Sequence, residues 1–218
     1  QAAWRTAVDT RTQAELERVY AYYRNYQPEQ ALVAADRFLR DHPRHPAVAY
    51  VQYLKGLVNS DRSEGLGGFL KLDTTKEDVG YSRSAFDDFA VLVQKYPKSI
   101  YAGDARQRMI YERNRLAAHE PHIVRFYMKR RAYIAAAKRA EDIVTQYPGA
   151  PATLDALRLL ETATTNLGLT DQAADAHRLL EAQLAAPTIT NDYPEMPQKP
   201  GLFSRLFGHD TKTADTTQ

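Results

Sequence analysis

The sequence contains no cysteine, which excludes disulfides, thiolate metal sites and cysteine nucleophiles at once and leaves the compartment open. It has no run near the ~18 apolar residues that a membrane-spanning helix needs. Its opening, "QAAWRTAVDTRTQ", lacks the apolar core of a signal peptide. The chain begins with Gln1 rather than Met, so it reads as a processed form or a fragment, with any export signal or lipid-attachment site lying upstream. An excess of one charge is lacking too: Lys+Arg 29 against Asp+Glu 27 leaves a formal net charge of +2 over 218 residues. A surface for an acidic partner must therefore be local. Alternating stretches of strand length are also missing.

What is present is helical periodicity. Apolar residues recur three and four apart in "LERVYAYYRNY", "ALVAADRFL" and "AFDDFAVLV". Pro43, Pro97 and Pro148 follow His42, Tyr96 and Tyr147 and mark helix stops, because a proline cannot continue the hydrogen-bond ladder. Aligning on these prolines exposes an internal repeat. Phe38, Leu92 and Ile143 stand five residues before them; Ala35, Phe89 and Ala140 stand eight before; Val51, Ala105 and Ala156 stand eight after. Small and large apolar residues at fixed offsets on successive helices are the pattern of stacked helix pairs, in which an alanine admits a close partner and a bulky residue fills the facing groove. Ala35, Ala105, Ala140 and Ala156 are expected at the closest approaches. A further unit, "NLGLTDQAADAHRLLEAQL", carries a Leu-Gly turn, Thr170 or Asp171 as a helix cap, and the stripe Ala173, Ala176, Leu180. The expected fold is all-α: a tetratricopeptide-like solenoid of about four antiparallel helix pairs.

The prolines lie 54 and 51 residues apart, against ~34 in a regular tetratricopeptide array. Two insertions account for the surplus: a loop over 59–81 and an added helix after Pro121. From Pro187 the composition turns to Pro, Thr, Asp and Gly without periodicity, so 187–218 reads as a disordered tail in which only "GLFSRLFG" is apolar. The repeat domain is accordingly assigned to 14–186, and 1–13 to the remnant of an incomplete first repeat.

Enzymatic chemistry finds little support. "HEPH" (His119, Glu120, His122) groups three ligand types, but Pro121 breaks their helix and no fourth ligand stands nearby, so a solvated junction is the better reading. "GLGG" (Gly65 to Gly68) lacks the strand before it and the Lys-Ser/Thr after it that a phosphate cradle needs, and reads as flexible loop. Asp87 and Asp88 read as solvating charge on an exposed helix face. No cofactor is implied. The segment from Ile123 to Ala140 stands apart: it carries Arg125, Lys129, Arg130, Arg131, Lys138 and Arg139 with no acidic residue. One-signed charge on a helical scaffold fits an acidic protein surface, against the plain alternative of a solvated face. Its aromatics fall on the apolar stripe and are expected in the core, which argues against nucleic acid.

The stretches "YAYYRNYQPEQALVAADRFLRDHPRHPAVAYVQYLKGL", "GGFLKLDTTKED", "AFDDFAVLVQKYPKSIYAGDARQRM" and "VRFYMKRRAYIAAAKRAEDIVTQYP", in this order, resemble the BamD family over about residues 14 to 185. These are lipoproteins of the outer-membrane β-barrel assembly machinery of Gram-negative bacteria. The resemblance implies a five-repeat, non-catalytic scaffold, lipid-anchored at the periplasmic face of the outer membrane. The implied partners are the last POTRA domain of BamA, the lipoproteins BamC and BamE, and unfolded outer-membrane proteins. It places Arg130 and Arg139, with neighbouring Arg131 and Lys138, at the BamA contact. The chain departs from the family by lacking the lipidated cysteine and most of the first repeat, so substrate contacts of the N-terminal repeats do not carry over. Arg131 also stands where glycine is usual at the turn. The alternative reading is a generic tetratricopeptide adaptor of another periplasmic or cytosolic complex.

Overall fold

The computed structural model describes residues 2–70 and 79–185, with side chains over 10–63 and 79–185. The described residues form nine helices and no strand: α1 (Ala2–Arg24), α2 (Pro28–Asp41), α3 (Val48–Leu70), α4 (Val79–Lys95), α5 (Ala102–His119), α6 (Pro121–Lys129), α7 (Tyr133–Gln146), α8 (Pro151–Asn166) and α9 (Thr170–Ala185). Glu120, between α5 and α6, keeps helical dihedrals of φ −66° and ψ −39°. The two segments thus run on as one helix interrupted at Pro121, whose missing N–H removes a rung of the ladder. Counted this way, the described residues make four helix pairs, and the tetratricopeptide-like solenoid is observed.

The proline register holds at all nine positions. Phe38, Leu92, Ile143, Ala35, Phe89, Ala140, Val51, Ala105 and Ala156 are each no more than 1 % exposed. They build two successive cores, one around Phe38, Val51, Leu54, Phe89 and Leu92, the other around Leu116, Val124, Ala136, Ala140 and Ile143. Helix α5 links them, giving Ala105 to the first and Leu116 and Ala117 to the second. Burial of the Phe, Leu, Ile and Val side chains contributes about 1.5–3 kcal/mol each, so the array holds its shape through contacts between neighbouring helices.

Three sequence expectations are corrected. Of the loop expected over 59–81, the described residues are helical: α3 continues to Leu70 and takes in the Gly65 to Gly68 stretch, and α4 begins at Val79. The reason is tertiary. Polar residues of α3 find partners on other helices: Asn59 Nδ2 donates to Asp88 Oδ2 at 2.8 Å, Ser60 Oγ donates to the buried Glu112, and Ser63 Oγ accepts from Arg115 at 2.8 Å. Asp88 is consequently not a solvated carboxylate. Its side chain is 14 % exposed, accepts from Gln52 as well, and shares Lys55 with Asp36, tying α2, α3 and α4 together. Last, α9 starts at Thr170 itself, so Thr170 and Asp171 lie inside its first turn. Helix α1 runs unbroken across residues 13 and 14, where the sequence places the boundary between the N-terminal remnant and the repeat domain. Residues 71–78 and the tail 187–218 lie outside the described residues.

The three aromatic-proline or histidine-proline stops share one turn. The N–H of His45, Ser99 and Ala150 bonds back to the C=O of His42, Tyr96 and Tyr147, and the N–H of Val48, Ala102 and Thr153 bonds to the next carbonyl in register, at 2.9–3.1 Å. The stacking of Tyr101 on Tyr53, with ring centroids 5.1 Å apart, and its contact with Tyr50 bring the starts of α3 and α5 together. The first two of these turns therefore share one end of the array.

Candidate docking surface

The basic segment folds into the hairpin of α6 and α7. On α7, Ala136, Ala140 and Ile143 are spaced three and four apart and form the buried stripe. Ile134 and Lys138, one turn apart, fall on the opposite face; Ile134 is 74 % exposed and Lys138 is exposed. Arg139 falls at the edge of the stripe and is half-buried. On α6, Pro121 and Val124 face inward while Phe126 stays 48 % exposed. The expectation that the aromatics here belong to the core is overturned at Phe126. The guanidinium carbon of Arg130 sits 4.1 Å from the centroid of its ring, a cation–π contact contributing about 0.5–1 kcal/mol at an exposed site.

The turn that aims these side chains is a Schellman motif. The N–H of Ala132 bonds to the C=O of Tyr127 at 3.0 Å and that of Arg131 to the C=O of Met128 at 3.0 Å. Arg131 therefore has φ 58°, a left-handed conformation that glycine adopts without strain. The glycine expected at this turn is replaced by a cation held outward.

The six cations are not equivalent. Arg125 is engaged by Asp155 of α8, and Arg139 Nη2 donates to Glu120 Oε2 at the Pro121 kink. Glu120, read in sequence as part of a "HEPH" cluster, thus serves Arg139. The Nε of Arg139 is buried without a hydrogen-bond partner. Lys129, Arg130, Arg131 and Lys138 are exposed and make no ion pair among the described residues. The hairpin thus carries four uncompensated cations and two exposed apolar side chains, Phe126 beside Arg130 on α6 and Ile134 one turn from Lys138 on α7. An apolar centre with a charged rim is the composition of a protein-binding patch. Sequence reasoning found the cations but missed Phe126, Ile134 and Glu120. The i, i+4 pair Ile134 and Lys138, set opposite the alanines, was the available signal.

Residues 7–179 match the YfiO family, described as an outer membrane lipoprotein. The chain belongs to that family. It is 41% identical over 182 residues to the outer membrane protein assembly factor BamD of Neisseria meningitidis serogroup A, covering 82% of this chain and 68% of the relative. The factor of the same name from Haemophilus influenzae is 36% identical over 171 residues, 78% of this chain and 65% of the relative. That of Xylella fastidiosa strain Temecula1 is 36% identical over 170 residues, 78% and 58% respectively. As a YfiO-family protein similar to BamD, the chain carries its family's helical array, and the α6–α7 hairpin falls within the matched residues.

Proposed function

We propose that this chain is a non-enzymatic scaffold subunit of the outer-membrane β-barrel assembly complex, and that its α6–α7 surface docks the periplasmic POTRA region of BamA. The observation that carries this reading is that one hairpin bears four cations without ion pairs together with exposed Phe126 and Ile134, on a chain whose relatives are named outer membrane protein assembly factors. In a docked complex Ile134 and Phe126 are the desolvated centre, and Arg130, Arg131 and Lys138 meet carboxylates at the rim. Arg139, oriented by Glu120, presents its remaining donors at the edge of the same patch. Lipid anchoring at the periplasmic face of the outer membrane, contacts with BamC and BamE, and reception of unfolded outer-membrane proteins belong to the same proposal. They rest on the family relationship rather than on particular residues.

The test is binding of the purified chain to the periplasmic domains of BamA. Ile134→Asp and Arg130→Glu are each expected to weaken binding at least about tenfold while lowering the melting temperature by no more than about 4 °C, the Arg130 change losing its contact with Phe126. Full affinity in both well-folded variants removes this face from the interface.

A further inference from the structure

The end of the array formed by the His42 and Tyr96 turns carries a second basic surface, independent of the α6–α7 patch. The residue after each turn proline is Arg44 in the first, Lys98 in the second and Gly149 in the third, so the third turn shows that the fold itself requires no cation there. Lys95 closes α4 beside the second turn, and Arg44, Lys95 and Lys98 are exposed without an ion pair among the described residues. Among the described residues, the carboxylates at this end are already engaged: Asp41 by Arg37 and Arg40, Glu15 by His42, and Asp104 by Arg108 and Tyr53. Two helix starts (α3, α5) and two helix ends (α2, α4) meet here, so their dipoles offset and the side chains set the sign.

Ile100 decides what such a surface fits. It projects from the second turn two residues beyond Lys98 and is 81 % exposed, where the other two turns carry Pro46 and Pro151. A strongly exposed apolar side chain in a turn at a basic end is suited to a plane with anionic groups at its surface and apolar groups beneath. We infer that this end of the array rests on an anionic lipid surface, with Arg44, Lys95 and Lys98 on headgroups and Ile100 inserted between them. Each cation near such a surface adds attraction, and a polybasic patch is an effective second signal beside a lipid chain. The family, one of outer membrane lipoproteins, puts a bilayer within reach.

The experiment is sedimentation of the purified chain with vesicles of phosphatidylcholine alone or mixed with phosphatidylglycerol, at low and high salt. Binding to the mixed vesicles only, weakened by salt, is expected. It should fall about tenfold or more in Arg44→Glu/Lys98→Glu, fall less in Ile100→Ser with salt dependence retained, and persist in the charge-matched control Arg83→Glu/Arg158→Glu. Arg44→Gln/Lys98→Gln repeats the test with a milder change, and circular dichroism confirms the fold of each. Equal binding to both vesicles, full binding by the Arg44 and Lys98 variants, or equal loss in the control overturns the inference. Capture of polyglutamate without a preference for the mixed vesicles overturns it in favour of an acidic protein.

Discussion

Arg139 of α7 is bonded through Nη2 to Oε2 of Glu120, the residue at the α5–α6 junction, and its Nε is buried without a partner. The cation is therefore both a strut across the hairpin and a candidate docking group. Its reversal to Glu sets two carboxylates together in a half-exposed site, costing about 1–2 kcal/mol, or a fall in Tm of roughly 2–8 °C for a chain of this size. The swap Arg139→Glu/Glu120→Arg restores the pair and is expected to recover Tm. Binding to the BamA periplasmic domains should stay weak in the swap. Recovery of binding together with Tm would mean that hairpin geometry, and not the cation at 139, governs docking.

Gly56 and Gly103 predict opposite responses to alanine. A Cβ on Gly56 would lie 2.6 Å from Phe89 Cδ1 and 2.7 Å from its Cζ, and Phe89 is fully buried, so the ring cannot move aside. Gly56→Ala is expected to cost about 1–3 kcal/mol by forcing α3 and α4 apart. Gly103 lies in the first turn of α5 with nothing within 4 Å of the added methyl. Gly103→Ala is expected to gain about 0.5–1 kcal/mol, since only the unfolded chain loses freedom. Urea denaturation of both checks the signs.

Glu15 of α1 accepts from His42 Nε2 at 2.8 Å and from Arg11 Nε at 3.3 Å. The His42 hydrogen bond, only partly opposed by burial and aided by Arg11, holds the Glu15 carboxyl below its ordinary 4.5. A carboxyl lowered in the folded state adds stability that is present above the unfolded value and lost as pH falls through the folded one. The stability difference between the parent and Glu15→Gln should hold above 4.5 and vanish in more acid solution. Thermal melts of the two proteins across the acid range test this, and parallel curves throughout would show that Glu15 makes no pH-dependent contribution.

The helical register was legible because proline, an aromatic or imidazole ring before it, and alanine at fixed offsets record tertiary contacts in one dimension. Phe38, Leu92 and Ile143 fall in the core for that reason. The end of α3 was not legible. Asn59, Ser60 and Ser63 look like loop residues on propensity, and they are helical because Asp88, Glu112 and Arg115 on other helices satisfy them. At the candidate docking surface, composition located the charge but could not divide it. Which cations are neutralised depends on a kink at Pro121 that brings Glu120 to Arg139 and on α8 carrying Asp155 to Arg125. The exposure of Phe126 and Ile134 was hidden because periodicity identifies a buried face without saying whether the opposite face is covered.

Arg131 and Gly168 occupy the same position of the same motif and predict opposite effects of exchange. After α8 the N–H of Leu169 bonds to the C=O of Thr164 and that of Gly168 to the C=O of Thr165, as after α6, and Gly168 has φ 72° where Arg131 has φ 58°. An L-residue in this conformation costs about 1–2 kcal/mol, partly recovered because glycine loses more freedom on folding. Arg131→Gly is therefore expected to raise stability by about 0.5–1 kcal/mol, and Gly168→Ala, with open space around the methyl, to lower it by a similar amount. If the conformation were incidental, neither change would register. For docking, Arg131→Gly removes one rim cation and leaves the Arg130 and Phe126 stack intact, so affinity for the BamA periplasmic domains should fall only about two- to fivefold, with a shallower salt dependence. Arg130→Ala removes the cation and uncovers the ring, and should cost more. A greater loss from Arg131→Gly than from Arg130→Ala would move the centre of the interface onto the turn itself and away from Phe126.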